Sequence, residues 1–293
     1  MSGKLYVVAT PIGNLSDITP RAIEALRNCD IIAAEDTRTS TKLLNKFDIR
    51  TKIVSHHKFN ERSTCDYLLR ELADGKNIAL ISDAGTPCIS DPGSVLVRRA
   101  VESGIIVEGI PGACAVVTAV SISGFDASGF SFMGFFPRDN GDIKEFLQEL
   151  RAPGVYIFYE SPKRIIKTLT LLAEQSEGAN ICLCNDLTKK FERIYRGTPK
   201  EILAELHDNP SAEKGEYTVV LEVILGDNVL DVPQSTAISA STESILVDII
   251  INHNCTLKAA VKIAAAEYSL NKNEVYAASL RLKTLLTRQQ DTQ

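Results

Sequence analysis

The chain has 293 residues, a formal net charge of -5 at pH 7, and a hydrophobic fraction of 44%. Its length is about twice that of a typical domain, which predicts two domains. The composition is that of a globular protein and excludes the disordered, fibrous and disulfide-rich classes. The negative charge argues against a protein that coats nucleic acid indiscriminately, because such binding needs a dominant positive field.

The segment that follows Met1 has no signal-peptide pattern, which predicts a cytoplasmic protein. The longest apolar runs, at residues 115–120 and 245–251, are much shorter than the roughly 20 residues that cross a bilayer, so no membrane association is expected. Seven cysteines are scattered along the chain, and the closest pair is Cys182 and Cys184. We expect reduced, mostly buried thiols rather than a disulfide or a zinc site.

Short apolar segments alternate with amphipathic segments over residues 1–124. Thr19 is the expected cap of the first helix, with Pro20 in its first turn. Ser63 is expected to open a later helix that ends at Gly75. Because the strands are almost continuously apolar, they predict one α/β domain with a parallel sheet covered on both faces. These strands are predicted at residues 5–9, 31–34, 53–55, 78–82 and 105–110.

Residues 125–225 repeat this alternation and predict a second α/β domain. Its last strands follow one another with little room for crossovers, so its sheet should be mixed. Strands are predicted at residues 130–136, 155–159, 181–185, 192–195 and 217–223. Helices are predicted at residues 142–150, 162–174 and 199–207.

Residues 226–242 are polar and aperiodic, which predicts a linker, and residues 243–293 predict a small C-terminal helical appendage. Thr256 is the expected cap of one helix, and Asn271 with Glu274 is typical of a capping box. From residue 256 to 288, six Lys and Arg residues stand against two acidic ones, an excess of four positive charges. This excess fits either a solvated helix face or an appendage that contacts RNA.

Three loops rich in glycine and proline follow the first, fourth and fifth predicted strands, at residues 10–15, 82–93 and 111–115. In open α/β sheets, ligands bind beyond the carboxyl ends of the strands. A tight turn explains any one of these loops, but three at one sheet edge predict a ligand site. The sequence lacks a Gly-x-Gly-x-x-Gly motif after the first strand and a phosphate-binding P-loop, which weakens dinucleotide and triphosphatase interpretations.

These motifs together resemble a known family. The chain is similar to the bacterial 16S rRNA cytidine 2'-O-methyltransferases of the tetrapyrrole methylase superfamily, over essentially its whole length. The resemblance rests on residues 9–15, 34–38, 82–93, 111–112, 158–162, 187–189 and 214–216.

The resemblance implies two α/β domains of tetrapyrrole-methylase type with S-adenosylmethionine (SAM) in the cleft between them. It also implies a homodimer that methylates the ribose of a cytidine, cytidine 1402, in the decoding centre of the 16S rRNA of the small ribosomal subunit. The cofactor contacts that it implies are Pro11, Gly13, Asp83, Gly85, Thr86, Ile89, Gly112, Ala113, Cys114, Ala115, Tyr159 and Leu187. Substrate contacts are expected from Arg38, Lys163, Lys189 and Glu216.

Methyl transfer from a sulfonium needs alignment of three atoms and no metal. The ribose 2'-hydroxyl needs a proton acceptor. Glu35 and Asp36 are the favoured catalytic candidates because they end the second predicted strand, ahead of Asp83 and Glu216. Either favoured residue fits equally well as a helix start or an ion-pair partner. The neighbouring histidines at 56 and 57 would point to opposite faces of a strand, so we expect structural or solvent-exposed roles for them.

Two alternatives to an RNA methyltransferase remain at this point. A small-molecule methylase of the same fold, acting on a tetrapyrrole or a similar acidic metabolite, would not need the residues after the second domain. A ribosome-assembly factor that has kept a cofactor fold would bind the small subunit without transferring label from SAM.

Overall fold

A computed structural model describes residues 2–150, 152–175, 178–224, 242, 246–247, 249–250, 256–267 and 272–288. The chain forms two units, Met1–Gly226 and Asp227–Gln293. None of the helices among the described residues has the length and apolar character of a membrane span.

The first sheet of the larger unit has five parallel strands in the order β3-β2-β4-β1-β5. The strands are β1 Lys4–Val8, β2 Ile31–Ala34, β3 Lys52–Ser55, β4 Ile78–Ile81 and β5 Ile106–Ile110. The helices that follow them are α1 Pro20–Asn28, α2 Thr37–Lys46, α3 Glu61–Ala73, α4 Ser94–Glu102 and α5 Ala115–Ser123. The predicted parallel sheet is confirmed, and every strand bound lies within one residue of its prediction.

Helices cover both faces of this sheet, as its apolar strands predict. On β2, Ile32 and Ala34 belong to the core beneath α1 and α2, whereas Ile31 and Ala33 belong to the core beneath α3 and α4. This division follows from the alternation of side chains along a strand. Each fully buried isoleucine contributes roughly 1.5–3 kcal/mol of hydrophobic stabilisation.

The helix starts in this half follow from local capping chemistry. The Thr19 side chain accepts a hydrogen bond from the Ala22 N–H at 3.2 Å, with a proline at the first helical position, as predicted. The predicted opening of α3 at Ser63 is wrong, because the helix begins at Glu61. Asn60 fixes the preceding turn by accepting from the His57 N–H, and the Ser63 hydroxyl donates within the first turn to the Asn60 carbonyl oxygen.

The second sheet lies in the same unit and is mixed, as predicted. Its strand order is β6-β7-β10-β8-β9; β6 runs parallel to β7, and the other neighbours are antiparallel. The strands are β6 Phe130–Phe135, β7 Gly154–Glu160, β8 Ala179–Asn185, β9 Arg193–Gly197 and β10 Tyr217–Val223. The helices of this half are α6 Asn140–Glu149, α7 Ile165–Gln175 and α8 Pro199–His207.

The two faces of the second sheet are covered by different parts of the chain. Residues of α6, α7 and α8 form a core on one face with Phe158, Ile181 and Val219. On the other face, Val116 and Ala119 of α5 pack against β7, β8 and β10. Although α5 follows the last strand of the first sheet, it therefore packs against the second sheet and joins the two halves.

The smaller unit contains α9 Leu257–Glu267 and α10 Lys272–Arg288. Thr256 caps α9, since its Oγ1 accepts from the Ala259 N–H at 3.4 Å. The predicted linker at 226–242, apart from residue 242, lies outside the described residues, as does Asn271 of the predicted capping box. A small apolar core comprises Leu246, Ile249, Ala260, Ala264, Val275 and Ala278.

The cysteines in the described parts of the chain are free thiols, as expected. Cys182 and Cys184 lie on the same face of β8, with their Sγ atoms 3.9 Å apart. Both side chains are buried in the core beneath α5.

Phe158 tests the packing of the second half. Its ring is fully buried and lies 5.6 Å from that of Phe136 and 5.4 Å from that of Phe146. We expect Phe158→Ala to lower the free energy of unfolding by about 3–5 kcal/mol, because it leaves a cavity. Urea denaturation measures this loss. Phe59→Ala, at a ring that is 95% exposed, is the matched control, and equal losses in the two variants would contradict the assignment of this core.

Candidate active site

The three glycine- and proline-rich loops meet at one edge of the first sheet, because β1 pairs with β4 on one side and β5 on the other. The Thr10 N–H donates to the Gly85 carbonyl oxygen at 2.9 Å, and the Gly85 N–H donates back to Thr10 at 3.1 Å. Thr86 Oγ1 donates to the Ala113 carbonyl oxygen at 3.1 Å. Hydrogen bonds therefore join the loops after β1, β4 and β5 into one surface.

This surface forms one wall of a cavity of about 370 Å³. The opposite wall comes from the second half of the unit. The cavity residues from the first half of the unit are Ile12, Ala84, Gly85, Thr86, Ile89, Ser90, Asp91, Cys114 and Ala115. The cavity residues from the second half are Phe135, Tyr159, Glu160, Ser161, Pro162, Leu187, Glu216, Tyr217 and Thr218.

The second wall is built where β7 ends and β10 begins. These strands are antiparallel, and Thr218 pairs with Tyr159, so both residues reach the same edge. The Tyr159 ring packs edge-on against Phe135 at 5.3 Å. Burial raises the pKa of the Tyr159 hydroxyl, and the Tyr159 side chain packs against the core that contains Val116 of α5. Tyr159 therefore stays neutral and ties the two halves together.

Two glycines allow the loop after β1 and the loop after β4 to come close to their neighbours. Gly85 has φ +79°, and a Cβ there would lie 3.2 Å from the Ile12 side chain. A Cβ on Gly13 would lie 2.5 Å from Lys189 Cγ and 2.9 Å from the Leu187 carbonyl oxygen. Glycine at residue 13 therefore permits the first loop to touch the connection between β8 and β9, beside the cavity.

Two carboxylates in the cavity wall have different surroundings. Glu160 is buried and receives hydrogen bonds from Thr168 Oγ1 and the Ser161 N–H, and it forms an ion pair with Arg164. Asp91 is partly buried, and burial raises its pKa. Asp91 is thus the better candidate to interact with a bound cation, because Glu160 already has a cationic partner.

Glu35 and Asp36, which end the second strand, also differ in their roles. Asp36 caps α2 by accepting from the Arg38 N–H and forms an ion pair with the Arg38 side chain at 2.7 Å. These contacts hold the pKa of Asp36 at about 2. For Glu35, burial and then the charges of Asp91 and Asp83 raise the pKa.

Asp83 links these acidic residues to the loop after β4. Its Oδ1 accepts from the Asp36 N–H at 3.0 Å, and its charge is one of the causes that raise the pKa of Glu35. Burial raises the pKa of Asp83 as well. Three carboxylates, the partly buried Glu35 and Asp91 and the exposed Asp83, therefore lie close to one another beside the cavity. Among the described residues, no group of His, Cys, Asp and Glu has the arrangement of a metal site.

The structure brings most of the expected cofactor contacts into the cavity wall. Those in the wall are Gly85, Thr86, Ile89, Cys114, Ala115, Tyr159 and Leu187, together with Glu216, which was expected to contact substrate.

The other expected residues lie around this wall. Pro11 and Asp83 line a smaller neighbouring depression. Gly13, Gly112 and Ala113 take part in loop packing; a Cβ on Gly112 would lie 2.9 Å from that of Ala9. Arg38 pairs with Asp36, Lys189 pairs with Asp186 and Glu216, and Lys163 is exposed beside Pro162.

Sequence reasoning missed several wall residues. Asp91 stands in the Asp-Pro-Gly turn that the loop pattern had already singled out, so its position gave a usable signal. Thr218 and Phe135 lie on strands of ordinary apolar character, and nothing in the sequence marks them. The missed wall residues are Ile12, Ala84, Ser90, Asp91, Phe135, Glu160, Ser161, Pro162, Tyr217 and Thr218.

The two histidines after β3 have separate surroundings. His56 is buried with neither ring nitrogen hydrogen-bonded, and burial lowers its pKa, so it is neutral at physiological pH. His57 Nδ1 accepts from the Asn60 N–H at 3.2 Å. His57 therefore helps to fix the turn before α3.

The architecture and the cavity define a class of methylases. A family model described as Tetrapyrrole (Corrin/Porphyrin) Methylases matches residues 4–203. A crystal structure of uroporphyrin-III C-methyltransferase from Thermus thermophilus, complexed with S-adenyl homocysteine, has the same fold, with a TM-score of 0.53 and 16% identity. The match covers 74% of this chain and 97% of that chain.

More similar relatives narrow the assignment. Ribosomal RNA small subunit methyltransferase I of Halalkalibacterium halodurans is 45% identical over 75% of this chain and 76% of its own length. The protein of the same name from Bacillus subtilis is 39% identical over 94% of both chains. The chain belongs to the tetrapyrrole methylase family and, within it, to the group of these ribosomal RNA small subunit methyltransferases I.

The surroundings of Glu35 generate a prediction about stability and pH. Its pKa in the folded chain lies above the ordinary 4.5. At pH values between the ordinary pKa and the raised pKa, the folded state therefore binds the proton more strongly than the unfolded state does. Glu35 therefore makes folding less favourable as the pH rises through these values. We expect Glu35→Gln to have a higher Tm than the wild type at about pH 8, and the difference to close toward about pH 4.

Thermal denaturation across this pH range measures the effect. Glu205→Gln, at an exposed glutamate of α8, is the matched control and should show no such pH dependence. A Glu35→Gln variant that is less stable than the wild type at high pH would show that the carboxylate makes favourable contacts.

Proposed function

We propose that this chain transfers the methyl group of SAM to the ribose 2'-hydroxyl of a cytidine in the 16S rRNA of the small ribosomal subunit. The observation that carries the proposal is the cavity between the two sheets, with Glu35 beside it in surroundings that raise its pKa. The relatives named for small-subunit rRNA methylation support the choice of substrate.

The cavity suits SAM in size and in chemistry. Its volume of about 370 Å³ lies in the usual range for small-molecule sites. Ile12, Ile89 and Leu187 provide apolar surface, and Gly85 lets the backbone approach the ligand closely. No side chain caps the start of α5, so this helix end is suited to the carboxylate of the cofactor.

Charge supports the same ligand. Bound SAM supplies a methyl group activated by a positively charged sulfonium. Asp91 gives the cavity wall negative character, whereas Glu160 pairs with Arg164 and Glu216 with Lys189. A charge of opposite sign in a partly buried wall stabilises a cation more than it would in bulk water.

Glu35 is the proposed proton acceptor. Its raised pKa makes its carboxylate a stronger base than that of an ordinary glutamate. Asp36 is a poorer candidate, because its two oxygens bind Arg38 and its pKa is low. Glu35 therefore orients the 2'-hydroxyl and takes its proton, while Asp36 holds the start of α2.

The proposed assembly follows from the family resemblance. The protein acts as a homodimer in the cytoplasm, where ribosomal subunits are found. Light scattering of the purified protein measures the mass of the assembly, and a monomer at working concentration would remove this part of the proposal.

Small subunits from a strain that lacks this protein provide the direct test. They are incubated with the purified chain and labelled SAM, and ribose methylation is then mapped. We expect label on the ribose of one cytidine in the decoding centre. Label on a base, or on an added tetrapyrrole but not on rRNA, would favour another acceptor, including the small-molecule alternative.

The choice of base gives a prediction about kinetics. Glu35→Gln should bind SAM with unchanged affinity in calorimetry but transfer methyl groups roughly 10²- to 10⁴-fold more slowly, because the proton acceptor is gone. The wild-type rate should fall as the pH drops through the raised pKa of Glu35, and the variant should lose this dependence.

Asp36→Asn is the matched control. An asparagine keeps an oxygen that can cap α2, so this variant should retain most of the turnover. Slower turnover in Asp36→Asn than in Glu35→Gln would reverse the assignment of the two residues.

A further inference from the structure

A second depression, of about 220 Å³, lies beside the cofactor cavity. Its apolar surface comes from Pro11, Leu15 and Leu43, and its polar groups include Ser40, Lys42 and Asp83. Pro11 and Asp83, which the family resemblance implied as cofactor contacts, line this depression and not the cavity.

Consecutive residues of two loops line the two sites. Pro11 lines the depression and Ile12 lines the cavity; Asp83 lines the depression and Ala84 the cavity. The paired backbones of Thr10 and Gly85 belong to the same two loops. A ligand in the depression is therefore only about one residue's width from a ligand in the cavity.

Ser40 shows that the depression is suited to a polar ligand. Its side chain is only 3% exposed, and its Oγ has no hydrogen-bond partner in the structure. A buried hydroxyl without a partner is unfavourable by about 1–3 kcal/mol. Such a group in the wall of a depression indicates that a ligand completes its hydrogen bonding.

Asp83 contributes an acceptor to the same wall. Its Oδ1 accepts from the Asp36 N–H at 3.0 Å, and its second oxygen can accept from a ligand. Together with Ser40, it offers one strong acceptor and one hydroxyl that both donates and accepts. The apolar side chains beside them suit the faces of a flat ring.

We propose that this depression holds the base of the acceptor nucleotide, a cytosine turned out of the RNA. This inference rests on the proposed function and adds the residues that recognise the base. The exocyclic N4 amine of cytosine donates to the Asp83 carboxylate, a pairing that distinguishes cytosine from uracil. The Ser40 hydroxyl bonds the polar edge of the ring, and enzymes that modify nucleotides commonly extrude the target from its stack.

The placement is consistent with the proposed chemistry. Glu35 directly precedes Asp36, whose N–H donates to Asp83 Oδ1 at 3.0 Å, so the base site lies next to the proton acceptor. A base bound at Asp83 therefore brings its ribose toward Glu35. Lys42 is exposed at the depression, where its charge suits a flanking phosphate.

The first test removes the hydroxyl of Ser40. Because this hydroxyl has no hydrogen-bond partner among the residues that the structure describes, Ser40→Ala should leave the Tm unchanged or raise it. We expect kcat/KM for the RNA to fall roughly 2- to 12-fold, the value of one hydrogen bond, with unchanged affinity for SAM. Ser63→Ala, at an exposed serine of α3, is the matched control and should leave kcat/KM for the RNA and the affinity for SAM unchanged.

The second test changes the specificity. In Asp83→Asn the amide oxygen can still accept from Asp36, but the second atom becomes a donor, which suits the O4 of uracil. Two short RNAs that differ only in cytidine or uridine at the acceptor position are compared as substrates. We expect the preference for cytidine to fall roughly tenfold or more in this variant. Fluorescence anisotropy in the presence of S-adenosylhomocysteine also measures the affinity of each variant for the same two RNAs.

The outcomes separate this inference from the proposed function. If the wild type methylates ribose but neither variant changes RNA affinity or the preference for cytidine, the base site is wrong and the function stands. If Ser40→Ala instead weakens SAM binding, the depression holds part of the cofactor, which also overturns the inference. If no RNA is methylated but binding still discriminates cytidine through Asp83, the proposed reaction fails and the base site stands.

Discussion

The whole site depends on the position of β1 between β4 and β5, with all three strands parallel. Parallel neighbours end at the same edge of a sheet, so the loops that follow them are forced together. The reciprocal hydrogen bonds of Thr10 and Gly85 then fix these loops against each other. The cavity is thus a consequence of strand order, and the second sheet only has to supply the opposite wall.

The same edge concentrates negative charge at a cost in stability. Loss of hydration is the main cause of the raised pKa of Glu35, Asp83 and Asp91. Such carboxylates weaken the fold at neutral pH, but they are suited to a cationic cofactor and to proton transfer. Asp36, next to Glu35, is in the opposite situation. Its ion pair with Arg38 stabilises its negative charge, and that charge supports the start of α2.

The sequence predicted both sheets and the glycine-rich loops because these depend on local patterns. Apolar strands of four to seven residues with capped helices between them are recognisable without tertiary information. The packing of α5 against the second sheet was not predicted, since it depends on contacts between halves. The sequence also left Glu35 and Asp36 equivalent, because only the fold shows which one Arg38 neutralises.

A crystal structure with S-adenosylhomocysteine tests the central claim most directly. The account predicts that the ligand fills the cavity between the sheets, against Gly85 and Tyr159, with its sulfur directed toward the side on which Glu35 lies. A ligand bound only elsewhere, or no ligand density at saturating concentration, would contradict the assignment of this cavity as the cofactor site.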